Sequence, residues 1–195
     1  MDIKLFFFIL SLVVGMAAFY PYIRDTLQGK TQPHIYTWFI WVITQGVATA
    51  GAWYGGGGWG AVNLMVGTMM VVLVFLLSFR YGTKNITTAD TLVLVAALFA
   101  IVAWLGLRSP LLAVVLAAAI DFAGYIPSYR KSFAEPWSET VTTWLGFALA
   151  TIFAILALDA YNPLTLTYLA VIAVANLILA ILCLVRRPFV PRPTA

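Results

Sequence analysis

Apolar residues in this chain fall in long unbroken blocks, without the polar–apolar alternation of a half-buried strand. Seven blocks stand out, over residues 4–23, 34–54, 59–79, 90–107, 110–127, 139–159 and 162–185. Each approaches the ~20 residues that carry a helix across a bilayer. The fourth is short and ends at Leu107-Arg108. Continuous apolar runs predict helices and not a barrel, because a barrel strand alternates lipid-facing and lumen-facing side chains.

Composition agrees with that pattern. Of 195 residues, 63% are hydrophobic and only 9% charged, with a mean hydropathy of +0.99. A soluble domain carries about 25% charged residues, so the expected solvent of this surface is lipid. Within lipid every backbone group must be satisfied internally, which again selects helices. The single cysteine, Cys183, provides no disulfide framework or cysteine metal site, and the single histidine, His34, no zinc cluster. No metal or cofactor is expected.

Charge orients the helices. Arg24, Lys30, Arg80, Lys84, Arg130, Lys131, Arg186, Arg187 and Arg192 fall on one side of the expected bundle, and only Lys4 and Arg108 on the other. Basic loops stay cytoplasmic, so the amino terminus is expected outside and the carboxyl terminus in the cytoplasm of a multi-pass protein of the cell (inner) membrane. The same residues account for a pI near 9.3 through proximity to anionic lipid, with no nucleic-acid partner. The first block has the look of a signal peptide, with Lys4 before it and Ala17-Ala18 within it. We read it as a retained helix, because the Pro21-Tyr22-Ile23-Arg24 that closes it has a counterpart later in the chain.

That counterpart belongs to an internal repeat. Pro21, Arg24, Thr37 and Trp38 recur as Pro127, Arg130, Thr143 and Trp144, all at an offset of 106 residues. The offset maps helix 1 onto helix 5 and helix 2 onto helix 6. An even number of crossings separates the copies, so the repeats are parallel: residues 1–89 form a first triple-helix unit, 90–109 a linker helix and 110–195 a second triple-helix unit with a short tail. Parallel repeats about an axis along the membrane normal are a transporter plan, with the solute site near the midplane.

This plan, with Tyr20-Pro21-Tyr22-Ile23-Arg24 and Ile126-Pro127-Ser128-Tyr129-Arg130 near the ends of helices 1 and 5, resembles the PQ-loop superfamily that includes the SWEET sugar transporters. Tyr22 and Ser128 stand where that motif has glutamine. The resemblance implies an all-α membrane protein of seven transmembrane helices, a three-plus-one-plus-three parallel-repeat bundle with its amino terminus outside. It also implies a pocket asparagine at Asn63 in Asn63-Leu64-Met65-Val66-Gly67. The repeat equivalent of Asn63 is Leu169, so the SWEET asparagine pair is incomplete.

Few residues carry chemistry. Asp121 lies well inside helix 5, where an acid costs roughly 2.5–3.5 kcal/mol to insert, so it is expected to face the bundle interior or a wet cavity. Its repeat equivalent is Gly15. An acid shortly before the second motif also resembles that of some proton-coupled PQ-loop transporters, which implies proton coupling at Asp121. Gln45, Asn63 and Asn176 are amides inside apolar helices, fit to line a pocket or to join helices. Trp41 shares a face with Gln45. Tyr125, one turn after Asp121, is positioned to donate a hydrogen bond to it. Trp38 and Trp144 read first as interfacial belt anchors. Pro21 and Pro127 are expected to act as paired hinges or static kinks, and Gly55-Gly56-Gly57-Gly58 as a flexible outer turn.

Together these features lead to a transporter that moves a small polar solute (sugar, amino acid, nucleoside or vitamin) by alternating access, as a uniporter or coupled to protons. Association into a homo-oligomer stays open. The alternative is a seven-helix receptor of the KDEL-receptor plan, which would want basic pocket residues. No arginine or lysine is expected within a helix. Helix 7 lacks the lysine of a retinal protein, and neither HExxH nor GxSxG is present to favour an enzyme.

Overall fold

A computed structural model describes residues 2–29, 33, 35–82, 88–106, 108–134, 136–137 and 141–191. Among them the chain is helical throughout: α1 (Ile3–Leu27), α2 (Ile35–Tyr54), α3 (Gly58–Tyr81), α4 (Thr88–Leu105), α5 (Pro110–Ala134), α6 (Val141–Leu156) and α7 (Pro163–Arg186), followed by one 3₁₀ turn, Arg187–Phe189. Three stretches, Ile3–Arg24, Gly58–Tyr81 and Pro163–Phe189, are long and apolar enough to cross a bilayer, while Pro110–Tyr125 and Val141–Leu156 are apolar but shorter. Large apolar side chains such as Val13, Met69, Leu76 and Ile181 stand more than half exposed on the outside of the bundle. An apolar exterior of this extent is untenable in water and natural in lipid. The chain is an all-helical membrane protein.

The helices outrun the apolar blocks. α1 continues through Pro21 to Leu27, and α5 through position 127 to Ala134. Lys4, Arg24, Arg80 and Arg186 therefore lie inside helical segments, which corrects the expectation of helices free of basic residues; all four sit in the terminal turns, where lysine and arginine reach the interface. α6 stops at Leu156, short of the expected 159, because residues 157–162 form a separate turn.

Contacts between helices follow a regular scheme. α3 packs against both α1 and α2, and α7 against both α5 and α6. Across the middle, α1 meets α6 and α2 meets α5; the smaller contacts α3 with α6 and α2 with α7 complete a ring. Exchanging α1 with α5, α2 with α6 and α3 with α7 leaves this pattern unchanged. α4 lies outside the ring, against α5 and α2.

At the end of the bundle where α1 begins, the α2–α3 turn docks onto the α6–α7 turn. Gly60 N–H donates to the Ala157 carbonyl (3.2 Å), Asp159 N–H to the Gly57 carbonyl (3.3 Å) and the Asn162 amide to the Gly55 carbonyl (2.7 Å). Asn162 also caps α7, accepting from Leu164 and Thr165 in a capping box. Lys4 adds bonds to the Leu156 carbonyl (3.0 Å) and the Tyr161 hydroxyl (2.9 Å). The glycine run is thus a packed clasp, not the free turn expected of it. Gly58 has φ +51°, and a Cβ there would fall inside the Asp159 carboxylate. Beneath the clasp, fully buried Leu158 joins Ala48, Ala52, Ala61 and Ala154 in a dry core.

Candidate functional site

Below that core the ring opens into a cavity of about 720 Å³. Every helix of the ring contributes to its wall, and α4 contributes none of the described lining residues. The wall runs from Ser11, Asn63 and Thr151 near the dry core to Pro21, Tyr22, Thr37 and Thr143 toward the opposite end. Small-molecule sites span about 300–1,000 Å³, so this space suits one small solute.

The 106-residue offset carries about half of the first triplet's lining positions onto lining positions of the second. Gly15 pairs with Asp121, Phe19 with Tyr125, Thr37 with Thr143 and Trp38 with Trp144. Trp41 pairs with Phe147, Gln45 with Thr151, Asn63 with Leu169 and Met70 with Asn176. Equivalent positions line one chamber while their chemistry differs, most of all at Asp121.

Asp121 is only 3% exposed. One carboxyl oxygen accepts from Thr44 Oγ1 on α2 at 2.5 Å, and the other from the Tyr168 hydroxyl on α7. The acid therefore bridges the two sides of the α2–α5 seam. At the equivalent place in the α1–α6 seam the pair is Gly15 and Ala150, where a Cβ on the glycine would lie 3.7 Å from the alanine Cβ. One seam is closed by small side chains and the other by a buried acid with two hydroxyl donors.

Other polar groups join helices at the same depth. Asn63 donates to Ser11 Oγ (2.7 Å), which donates to the Ala150 carbonyl (2.6 Å), tying α3, α1 and α6. Tyr125 donates to Asn176 Oδ1 (3.2 Å), and Asn176 donates to the Ile172 carbonyl (2.9 Å). Tyr125 thus bonds Asn176, not Asp121 as its spacing along α5 suggested; the hydroxyls that reach the acid come from Thr44 on α2 and Tyr168 on α7.

The structure brings Gln45, Asn63, Asn176, Trp41, Tyr125, Asp121 and Pro21 to one cavity. Position 127 belongs to the backbone of α5, but the ring of Pro127 lies outside the described residues. The belt reading of Trp38 and Trp144 is overturned. Trp38 is 6% exposed, donates to the Tyr22 hydroxyl (3.3 Å) and faces the chamber; Trp144 packs on Tyr125 and Phe147 there. Their positions one turn into α2 and α6 are also positions where those helices line the cavity. Sequence reasoning missed Ser11, Thr44 and Tyr168. Tyr168 alone left a trace, as the one aromatic residue of α7, two turns before Asn176 on the same stripe.

No family model matches the chain, and no curated protein or solved structure is significantly similar to it.

Proposed function

We propose that this protein is a transporter of the PQ-loop and SWEET type, carrying a small polar solute by alternating access, as a uniporter or with protons moving through Asp121. In this reading all seven helices span the cell membrane in a three-plus-one-plus-three parallel repeat. The amino terminus and the glycine clasp are outside, and the carboxyl terminus is cytoplasmic. The observation that carries it is the cavity between the two helix triplets, many of whose lining positions correspond at one constant offset. A chamber built on paired elements can open at either end by rocking one triplet against the other. In this reading, with the clasp closed, Pro21, Tyr22, Thr37 and Thr143 form the inner mouth and the conformation is the inward-facing one.

The test needs no knowledge of the solute. Cysteine replaces Gln45 in a Cys183→Ala background, and right-side-out and inside-out vesicles are treated with a membrane-impermeant maleimide. Alternating access predicts modification from both sides. Modification from one side alone would contradict carriage and favour a receptor. Reporter fusions after Gly82 and Ala195 reading cytoplasmic, and one after Gly57 reading external, fix the orientation; the reverse would overturn it.

A further inference from the structure

The cavity wall has a chemistry more selective than "small and polar". Among the described residues that line it there is no lysine, arginine or histidine. Its one acid already holds two hydroxyl donors. An anionic solute would enter a desolvated space with no opposite charge to meet it, the costliest way to bury a group. The acid is only 3% exposed and both its oxygens are engaged, so little of the carboxyl is open to a cation. The chamber is therefore built for an uncharged ligand.

Its walls are aromatic on both sides, with neighbouring rings tilted or edge-on to one another. Tyr22, Trp38 and Trp41 form one contiguous wall, with ring centroids 5.2 and 5.0 Å apart along it. Tyr125, Trp144 and Phe147 form the other, at 6.1 and 6.2 Å. Most polar side chains between them bond within the protein, as described for Asn63, Tyr125, Asn176 and Asp121. Gln45 and Trp41 differ. Both line the cavity one helical turn apart on α2, and neither the Gln45 amide nor the Trp41 indole N–H has a hydrogen-bond partner among the described residues; the Thr143 hydroxyl on α6, toward one end of the chamber, has none either. Together Gln45 and Trp41 offer one acceptor and donors along a single edge of the chamber.

Resting on the reading of this cavity as a solute site, we infer that its ligand is an uncharged planar heterocycle with a lactam or amide edge, stacked on a ring of either aromatic wall and read by Gln45 and Trp41. A lactam presents one donor and one acceptor side by side, which the Gln45 amide matches reciprocally. A sugar carries a hydroxyl on nearly every carbon, and the partner-free groups here are too few to satisfy them. Stacking is tolerant of ring identity, so the edge and not the face sets specificity.

Calorimetric titration of the purified full-length protein with uracil, hypoxanthine, orotate and glucose tests this. Orotate is uracil with an added carboxylate, so the pair isolates charge. Uracil and hypoxanthine should bind, orotate at least about tenfold more weakly, and glucose without measurable heat. Gln45→Leu should weaken uracil by about tenfold or more, and Trp41→Phe, which keeps a ring and loses the N–H, by a smaller factor. Gln45→Leu must elute on gel filtration as wild type does; if it does not, Trp41→Phe alone decides. Failure of both heterocycles to bind, preference for orotate or glucose, or unchanged uracil affinity in the deciding variant would overturn the inference. Uracil binding with one-sided maleimide access would leave this ligand class standing and remove carriage. Glucose binding with two-sided access would do the opposite.

Discussion

Asp121 gathers side chains that are 77 and 47 residues away in sequence, Thr44 on α2 and Tyr168 on α7. A carboxyl at this depth is stable only while its oxygens are satisfied, so each hydroxyl contributes more than its own bond. Thr44→Val should cost ~1–3 kcal/mol, the penalty of leaving a buried polar atom unpaired. In an Asp121→Asn background the same change should cost less, giving a coupling of about 0.5 kcal/mol or more in a double-mutant cycle followed by denaturant unfolding in detergent. Additive losses would mean that the two groups act independently. If the acid carries the proton, the ratio of inside to outside modification at Gln45→Cys should vary with pH in wild-type Asp121 and be flat in Asp121→Asn. The acid and the amides were legible in the sequence because each interrupts an apolar run. Thr44 was not, since a helical threonine ordinarily bonds its own backbone and signals nothing about a neighbour.

Among the elements, the clasp departs furthest from what its sequence suggests. Four successive glycines read as slack, yet each meets a surface too close for a side chain or adopts a backbone that favours glycine. Gly60 follows the run and obeys the same rule. A Cβ there would lie 2.5 Å from Leu158 Cδ2 and 2.9 Å from the Ala154 carbonyl, so Gly60→Ala should destabilise the folded protein by ~1–3 kcal/mol through overpacking. Gly46, inside α2, has nothing within 4 Å of its Cβ position, and Gly46→Ala should change stability by less than ~1 kcal/mol. Thermal unfolding of the two variants side by side checks the contrast; equal effects would place the crowding elsewhere. Sequence periodicity located all seven helices to within a few residues where their ends are set by polarity. It failed at α1, α5 and α6, where helices continue past the apolar block or stop early for a turn that another turn holds.

Across the whole molecule, the ring of helices makes two equivalent seams from unequal chemistry. The α1–α6 seam is closed by glycine on alanine and by tilted ring contacts such as Phe19 against Phe147, whereas the α2–α5 seam is held by the buried acid. The repeat was legible at four matched residues; the further matches around the cavity were not, because there equivalent positions share a place and not a residue type. Our account makes the clasp the outer gate, closed here and opened in the other access state. Gly56 and Ala160 face each other across it, with Cβ positions 3.7 Å apart, within the ~3.5–4.5 Å that a disulfide spans; Gly56 has φ +75°, so the cysteine pair must first elute on gel filtration as wild type does. The most direct measurement places cysteines at Gly56 and Ala160 beside Gln45→Cys and Cys183→Ala, oxidises them, and follows maleimide modification of the cavity cysteine from each side of the membrane. The account predicts that the cross-link abolishes modification from outside, leaves modification from the cytoplasmic side intact, and is reversed by a reductant. Undiminished access from outside with the clasp locked would contradict it.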